Sequence, residues 1–281
     1  MLSTVTTLAD SIDSIAIGGF DGMHMAHQAL FKELSKNGAI IAIETGYANL
    51  TPKKLREKHT TFPIYYLELS DIKELEGLEF VEFLKHKFKS LKKIVVGYDF
   101  HFGKDRRYSH KNLKEFFDGE VVVVDEVRLN GEAVHSRHIR AKLKEGDIKG
   151  ANSFLAHNYT IEGILVKGQG IGKKELVATI NLVAPSQLMP KEGVYVTLTR
   201  IDNDEYFHPS VSFVGHRVST DGSFALESHI LDGEVLCHKK ASISFVSLIR
   251  ENRKFDSLDE LKKMINKDIA VAKKELKLLQ L

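Results

Sequence analysis

The feature that most constrains this chain is a change of hydropathy rhythm part-way along it. Up to about residue 156, short apolar runs of strand character alternate with stretches whose apolar residues recur at helical spacing. From about residue 157, short runs with a period of two follow one another with little helix between them. The first rhythm predicts a parallel sheet with helices on both faces, because parallel strands need crossover connections that helices supply. The second predicts an antiparallel barrel or sandwich. The chain is therefore expected to be α/β in two domains, 1–156 and 157–281.

In the first part, strands are expected at Ser14–Gly18, 39–43, 64–69, 94–97 and 120–125, and helices at 24–34, 80–88, 113–117 and 136–154. Strands at 159–166, 194–200, 210–214, 224–231 and 241–248 follow, with Asn203 and Asp204 marking a hairpin. A terminal helix is announced by Ser257 and Glu260 as a capping box, with Leu261, Ile265, Ile269 and Leu276 as its apolar face. In parallel sheets of this kind, ligands bind beyond the carboxyl ends of the strands. That rule directs attention to residues 18–27 and 97–104.

Composition narrows the function classes. With 43% hydrophobic and 28% charged residues, the chain is globular rather than disordered, collagenous or solenoid. Lys plus Arg number 40 against 38 Asp plus Glu, a net charge of +2, and no basic stripe suggests a nucleic-acid partner. The single Cys237 excludes an internal disulfide and a Cys-rich zinc site. Apolar runs such as 121–124 fall far short of the roughly 20 residues of a membrane helix, and residues 1–11 carry no signal-peptide pattern. A cytoplasmic location, no membrane association and no obligate protein partner are expected.

The segment Gly18-Gly19-Phe20-Asp21-Gly22-Met23-His24-Met25-Ala26-His27-Gln28 follows an expected buried strand. Glycines there permit a tight turn and the close approach of a phosphate. His24 and His27, three apart, share a face on the first turn of the next helix, where unpaired amides and the helix dipole favour anions. Transfer of phosphoryl or nucleotidyl groups asks mainly for such positioning and charge stabilisation. A pair at this spacing also arises readily by chance among 13 histidines. A metal site is the other alternative, although no carboxylate or third histidine stands at obvious ligand spacing.

This segment resembles the G-x-F-D-G-x-H-x-G-H-Q motif of the bacterial bifunctional riboflavin kinase/FMN adenylyltransferases. Gly97–Gly103 (GYDFHFG) is similar to that family's G-x-[DN]-F-x-F-G stretch, and Val134–Arg140 (VHSRHIR) to its I-S-S-T-x-I-R segment. The resemblance implies an N-terminal doubly wound nucleotidyltransferase domain in which the FMN phosphate attacks the α-phosphate of ATP and pyrophosphate leaves. His24 and His27 would be catalytic, and Phe20, Gly22, His24, His27, Ser136 and Arg140 would bind ATP. Asp99 would place the flavin. This chain departs from the pattern at Ala26, where the family has glycine, and at His135 and Arg137, where it has serine and threonine.

In the second part, Gly168-Gln169-Gly170-Ile171-Gly172-Lys173 is neither a P-loop nor a dinucleotide fingerprint, and on its own reads as a basic hairpin loop. Beyond it, Ala178-Thr179-Ile180-Asn181-Leu182 resembles the P-T-A-N-L motif of riboflavin kinase modules, and Glu192–Tyr195 its G-V-Y strand. Residues 212–217, 227–232 and 250–255 resemble further segments in order. The resemblance implies a small antiparallel β-barrel that transfers the ATP γ-phosphate to riboflavin. Glu227 would be the catalytic base, and Gly168, Gly170, Gly172, Thr179 and Asn181 would bind ATP and Mg²⁺, with Thr179 as metal ligand. Riboflavin, FMN and FAD would be substrates or products. Ala178, Leu176-Val177, Val218-Ser219 and Asn252 depart from the family's Pro, Gly-Phe, Pro-Thr and Glu. Against the bifunctional reading stand an adenylyltransferase with a weakened or lost kinase, a non-catalytic flavin-binding protein, and an adenylyltransferase for another phosphorylated substrate.

Overall fold

The run Ser14-Ile15-Ala16-Ile17-Gly18 forms a buried strand, β1 (Ser14–Gly18), at the centre of a five-stranded parallel sheet. This computed structural model describes residues 9–166, 179–202, 204–219, 221–231 and 239–278. The sheet continues through β2 (Gly38–Glu44), β3 (Ile64–Glu68), β4 (Lys93–Gly97) and β5 (Glu120–Val124), in the order β3-β2-β1-β4-β5. Every pairing is parallel.

Alternate residues serve opposite faces, as strand geometry requires. Ile15, Ile17, Ala39, Ile41, Ile94 and Val96 join one apolar cluster with Phe80, Val81 and Leu84 of α2 (Gly77–Lys87) and Leu113 of α3 (His110–Phe116). Ala16, Ile40, Ala42 and Val95 join a second with Leu30 and Phe31 of α1 (Met25–Lys32). Both faces are thus covered, which is why these strands read as continuous apolar runs. Two ribbons of two-residue strands, His101–Phe102 with Tyr108–Ser109 and Arg128–Leu129 with Glu132–Ala133, were not expected, since so short a strand carries no period.

The chain divides into two compact units, Met1–Ser136 and Arg137–Leu281. The single helix expected over 136–154 is two, α4 (Ser136–Glu145) and α5 (Ile148–Leu155). Gly146 between them adopts φ +87°, a left-handed conformation that ends a helix. Asp147 then caps α5 by accepting from Gly150 N at 2.9 Å. Asn152 on α5 accepts from Tyr159 N and donates to Phe245 O, joining this helix to the strands that follow.

Those strands are β6 (Thr160–Val166), β7 (Ile180–Val183), β8 (Gly193–Ile201), β9 (His208–His216), β10 (Phe224–Ile230) and β11 (Lys240–Glu251). They close into an antiparallel barrel in the order β6-β7-β10-β9-β8-β11. One side of β8 packs apolar Val194, Val196 and Leu198 beneath the terminal helix α6 (Leu258–Leu278). The other carries Thr197 and Thr199, fully buried and hydrogen-bonded to Ser210, Ser212 and Ser228 at 2.7–2.9 Å. Ser257 caps α6 through Glu260 N at 3.2 Å. The helix buries Asp268, Ala272 and Leu276, so its inner face is centred beside the expected stripe; Leu261, Ile265 and Ile269 are half-buried. Asp268 can point inward because the Arg250 guanidinium on β11 meets both its oxygens at 2.9–3.1 Å.

Candidate active sites

At the carboxyl end of β1 the backbone turns through three left-handed residues, Phe20 (φ +48°), Gly22 (φ +91°) and Met23 (φ +46°). Such a turn is costly for non-glycine residues and must be held from outside. The Asp21 carboxylate accepts from the backbone amides of Asn49, Leu50 and Thr51 at 2.9–3.2 Å. Gly22 N donates to Thr51 Oγ1 at 2.7 Å, and Ser136 Oγ donates to Asp21 O at 2.7 Å. Beneath the turn, the fully buried Arg56 donates to Gly19 O and Phe20 O and is ion-paired with Glu44.

The turn delivers His24 to the N-cap of α1 and His27 to its first turn. Their rings stack with centroids 3.5 Å apart and planes 21° from parallel, and the Phe20 and His27 rings meet nearly at right angles with centroids 5.1 Å apart. Among the described residues, His27 Nδ1 is sealed from solvent and meets no hydrogen-bond partner. Burial, then the neighbouring His24, Arg56 and His135, hold the His27 pKa well below the ordinary histidine value. The pair therefore rests with a neutral His27 beside an anion-seeking helix end.

The two histidines line a cavity of about 410 Å³. Its wall takes residues from the ends of four strands: Gly18, Thr45 just past β2, Gly97 and Val124. Phe20, His24, His27, Asp99 and Ser136 all line it, while Gly22 lies in the supporting turn. Asp99 is exposed. Arg140 lies half-buried on α4 within the second unit. Sequence reasoning missed Arg56 and Glu44, and also a polar group in the same cavity: Tyr98 donates to Glu126 Oε1 at 2.9 Å and lies 3.3 Å from His135 Nε2. The Tyr98 hydroxyl, then Arg128, hold Glu126 below the usual carboxylate range.

In the second unit, the expected Thr179, Asn181 and Glu227 come together. Asn181 on β7 stands directly opposite Glu227 on β10, and its Nδ2 lies 3.4 Å from Thr179 Oγ1. Arg217, which sequence reasoning placed in a matching segment without a role, donates through Nε to Glu227 Oε1 at 2.9 Å and through Nη2 to Asn181 Oδ1 at 2.9 Å. Gly168, Gly170 and Gly172, with the altered 176–178 stretch, lie outside the described residues. The Thr179 hydroxyl just before β7 and the Asn181 amide on it are neutral oxygens of the kind Mg²⁺ accepts, with the Arg217 guanidinium already engaging Asn181 Oδ1 and Glu227 Oε1.

At two of the positions that depart from the family pattern, the side chains present are in use. Ser219 Oγ accepts from Phe255 N at 3.0 Å, so the hydroxyl at this position is in use. Asn252 Nδ2 donates to Glu192 Oε2 at 3.1 Å and to His216 O at 2.8 Å. A glutamate at 252 would set two carboxylates against each other. The backbone amide and side chain of His216, with the side chain of Asn252, instead keep Glu192 below the usual carboxylate range.

Two constellations on two unrelated folds in one chain are the layout of a two-site transferase, each unit carrying its own group transfer. The family model described as riboflavin kinase matches residues 155–276, and the one described as FAD synthetase matches residues 64–138. Bifunctional riboflavin kinase/FMN adenylyltransferases are 28% identical in Pseudomonas fluorescens (92% of this chain, 91% of that one) and 27% identical in Escherichia coli strain K12 (92% and 91%). A solved structure from Streptococcus pneumoniae, titled a macrolide-efflux protein, superposes with a TM-score of 0.80 at 27% identity, covering 93% of this chain and 94% of that one. What is shared with that chain is the fold; among the described residues here, no helix is long and apolar enough to cross a membrane. Over about nine tenths of its length the chain is similar to the bifunctional riboflavin kinase/FMN adenylyltransferases, and each of the two family models finds its match within it.

Proposed function

We infer that this protein phosphorylates riboflavin to FMN in its second unit and adenylylates FMN to FAD in its first, using ATP in both steps. The observation that carries the reading is the stacked His24–His27 pair, set at a helix N-terminus in a cavity at the carboxyl ends of a parallel sheet. In the first site, an FMN phosphate oxygen bonds to the α-phosphorus of ATP as the bond to the departing pyrophosphate breaks. His24 and His27 donate hydrogen bonds to the phosphate oxygens on which charge builds. Asp99 at the cavity orients the flavin, and Ser136 supports the turn through Asp21 O.

In the second site, Glu227 accepts the proton of the riboflavin primary hydroxyl as its oxygen attacks the γ-phosphorus. Thr179 and Asn181 are the residues that would hold Mg²⁺, which when bound offsets the negative charge of the ATP phosphates. The separate sites are tested by a pair of variants. His27→Ala is expected to cut FAD formation from FMN at least about 10²-fold while leaving FMN formation from riboflavin. Glu227→Ala is expected to do the reverse. Parallel loss of both activities in either folded variant would contradict the assignment.

A further inference from the structure

Glu227 does not stand free in its site. Arg217 Nε donates to its Oε1 at 2.9 Å, and Nη2 makes a second bond to the same oxygen. The same Nη2 reaches Asn181 Oδ1 at 2.9 Å, and Nη1 reaches Ser223 Oγ at 2.7 Å. Arg217 and Glu227 have side chains only 19% and 22% exposed, so this fork is partly shielded from water.

The local backbone is built to aim this guanidinium. Arg217 follows the last residue of β9, and its amide donates to Ser223 O at 2.9 Å across the hairpin. Gly222 N donates back to Arg217 O at 3.1 Å. One residue earlier, His216 is held on both sides: its amide donates to Glu192 Oε2 at 3.0 Å, and its carbonyl accepts from Asn252 at 2.8 Å. With the backbone pinned at 216 and 217, the side chain lies across Glu227 and the Asn181 opposite it.

We propose that Arg217 is a positioning residue of the phosphoryl-transfer site: it grips Glu227 through Oε1, so that Oε2 is the atom that takes the hydroxyl proton, and it fixes the amide of Asn181 beside it. A carboxylate with neither oxygen engaged can turn about its last torsion and present either one; two bonds to Oε1 remove that freedom. The inference rests on the kinase reading of the second unit. In the step it serves, the substrate O–H bond breaks and its proton passes to Oε2. The hydroxyl oxygen bonds to the γ-phosphorus, and the bond from that phosphorus to the β–γ bridging oxygen breaks, with ADP carrying the electron pair away.

The test is steady-state phosphorylation of riboflavin by the full chain and its Arg217→Ala and Arg217→Lys variants. Arg217→Ala is expected to lose about 10²-fold in kcat, the scale of a misplaced catalytic group, with the riboflavin KM within about threefold. Added guanidinium chloride at millimolar concentration is expected to recover about tenfold of that loss, and equal sodium chloride none. Arg217→Lys should fall between, because a point charge cannot reproduce the fork, and this variant carries the test if the alanine variant does not fold. In a Glu227→Ala background, Arg217→Ala should add little further loss. Variants within twofold of the parent in kcat, a loss confined to KM, or no response to guanidinium would each overturn the positioning role. A parent chain that leaves riboflavin unchanged overturns the kinase reading itself.

Discussion

His24 and His27 lie so close, 3.5 Å between ring centroids, that two imidazolium charges there would repel strongly. Burial and neighbouring positive groups keep the His27 pKa well below 6.5 in the folded chain, whereas an unfolded chain has the ordinary value. Between the two values, the unfolded chain binds a proton that the folded chain does not. Stability from this residue is therefore complete above about pH 6.5 and is lost as the pH falls below it. Urea midpoints at pH 8 and pH 5.5 should fall more steeply toward acid in the parent than in His27→Gln. Equal slopes would mean that His27 is not the group responsible. The same desolvated ring is suited to its proposed task, since a phosphate beside it favours the charged, donating form that burial and the neighbouring positive groups disfavour.

At the scale of elements, the legible features were those that repeat or stand side by side. Ser14–Gly18 announced itself as a buried strand, and the glycine turn with its histidines three apart announced the cavity wall. Arg56 and Arg217 were not legible as site residues, because each joins a nearby carboxylate to groups far away in sequence. Arg56 serves carbonyls 36 and 37 positions away, and Arg217 meets an amide 36 positions away. No local period encodes such contacts. Asp268 was not legible on the inner face of α6 for a related reason: it is polar in sequence but enters the interface with Arg250 as partner. The break between α4 and α5 was in plain view as Gly146-Asp147, yet helical spacing on either side masked it. At Gly146, φ is +87° and an added Cβ would lie 2.8 Å from Leu248 Cδ2. Gly146→Ala should therefore cost about 1–3 kcal/mol, read as a lower thermal midpoint for the second unit. An unchanged midpoint would contradict the left-handed break.

At the scale of the whole molecule, the cavity with His24 and His27 is built from first-unit residues, and the cluster of Thr179, Asn181, Arg217 and Glu227 from second-unit residues. One fold sets a helix N-terminus at the carboxyl edge of a parallel sheet; the other supplies a closed barrel on which opposed strands set a carboxylate against an amide. Successive steps on one flavin fit this arrangement, since the product of the second unit is the substrate of the first. The most direct measurement is one incubation of the purified chain with riboflavin, ATP and Mg²⁺, with the flavins separated by chromatography over time. FMN should rise first and then give way to FAD. FAD formed from added FMN but never from riboflavin would remove the second unit's assigned activity, and no reaction of either flavin would contradict the two-site account as a whole.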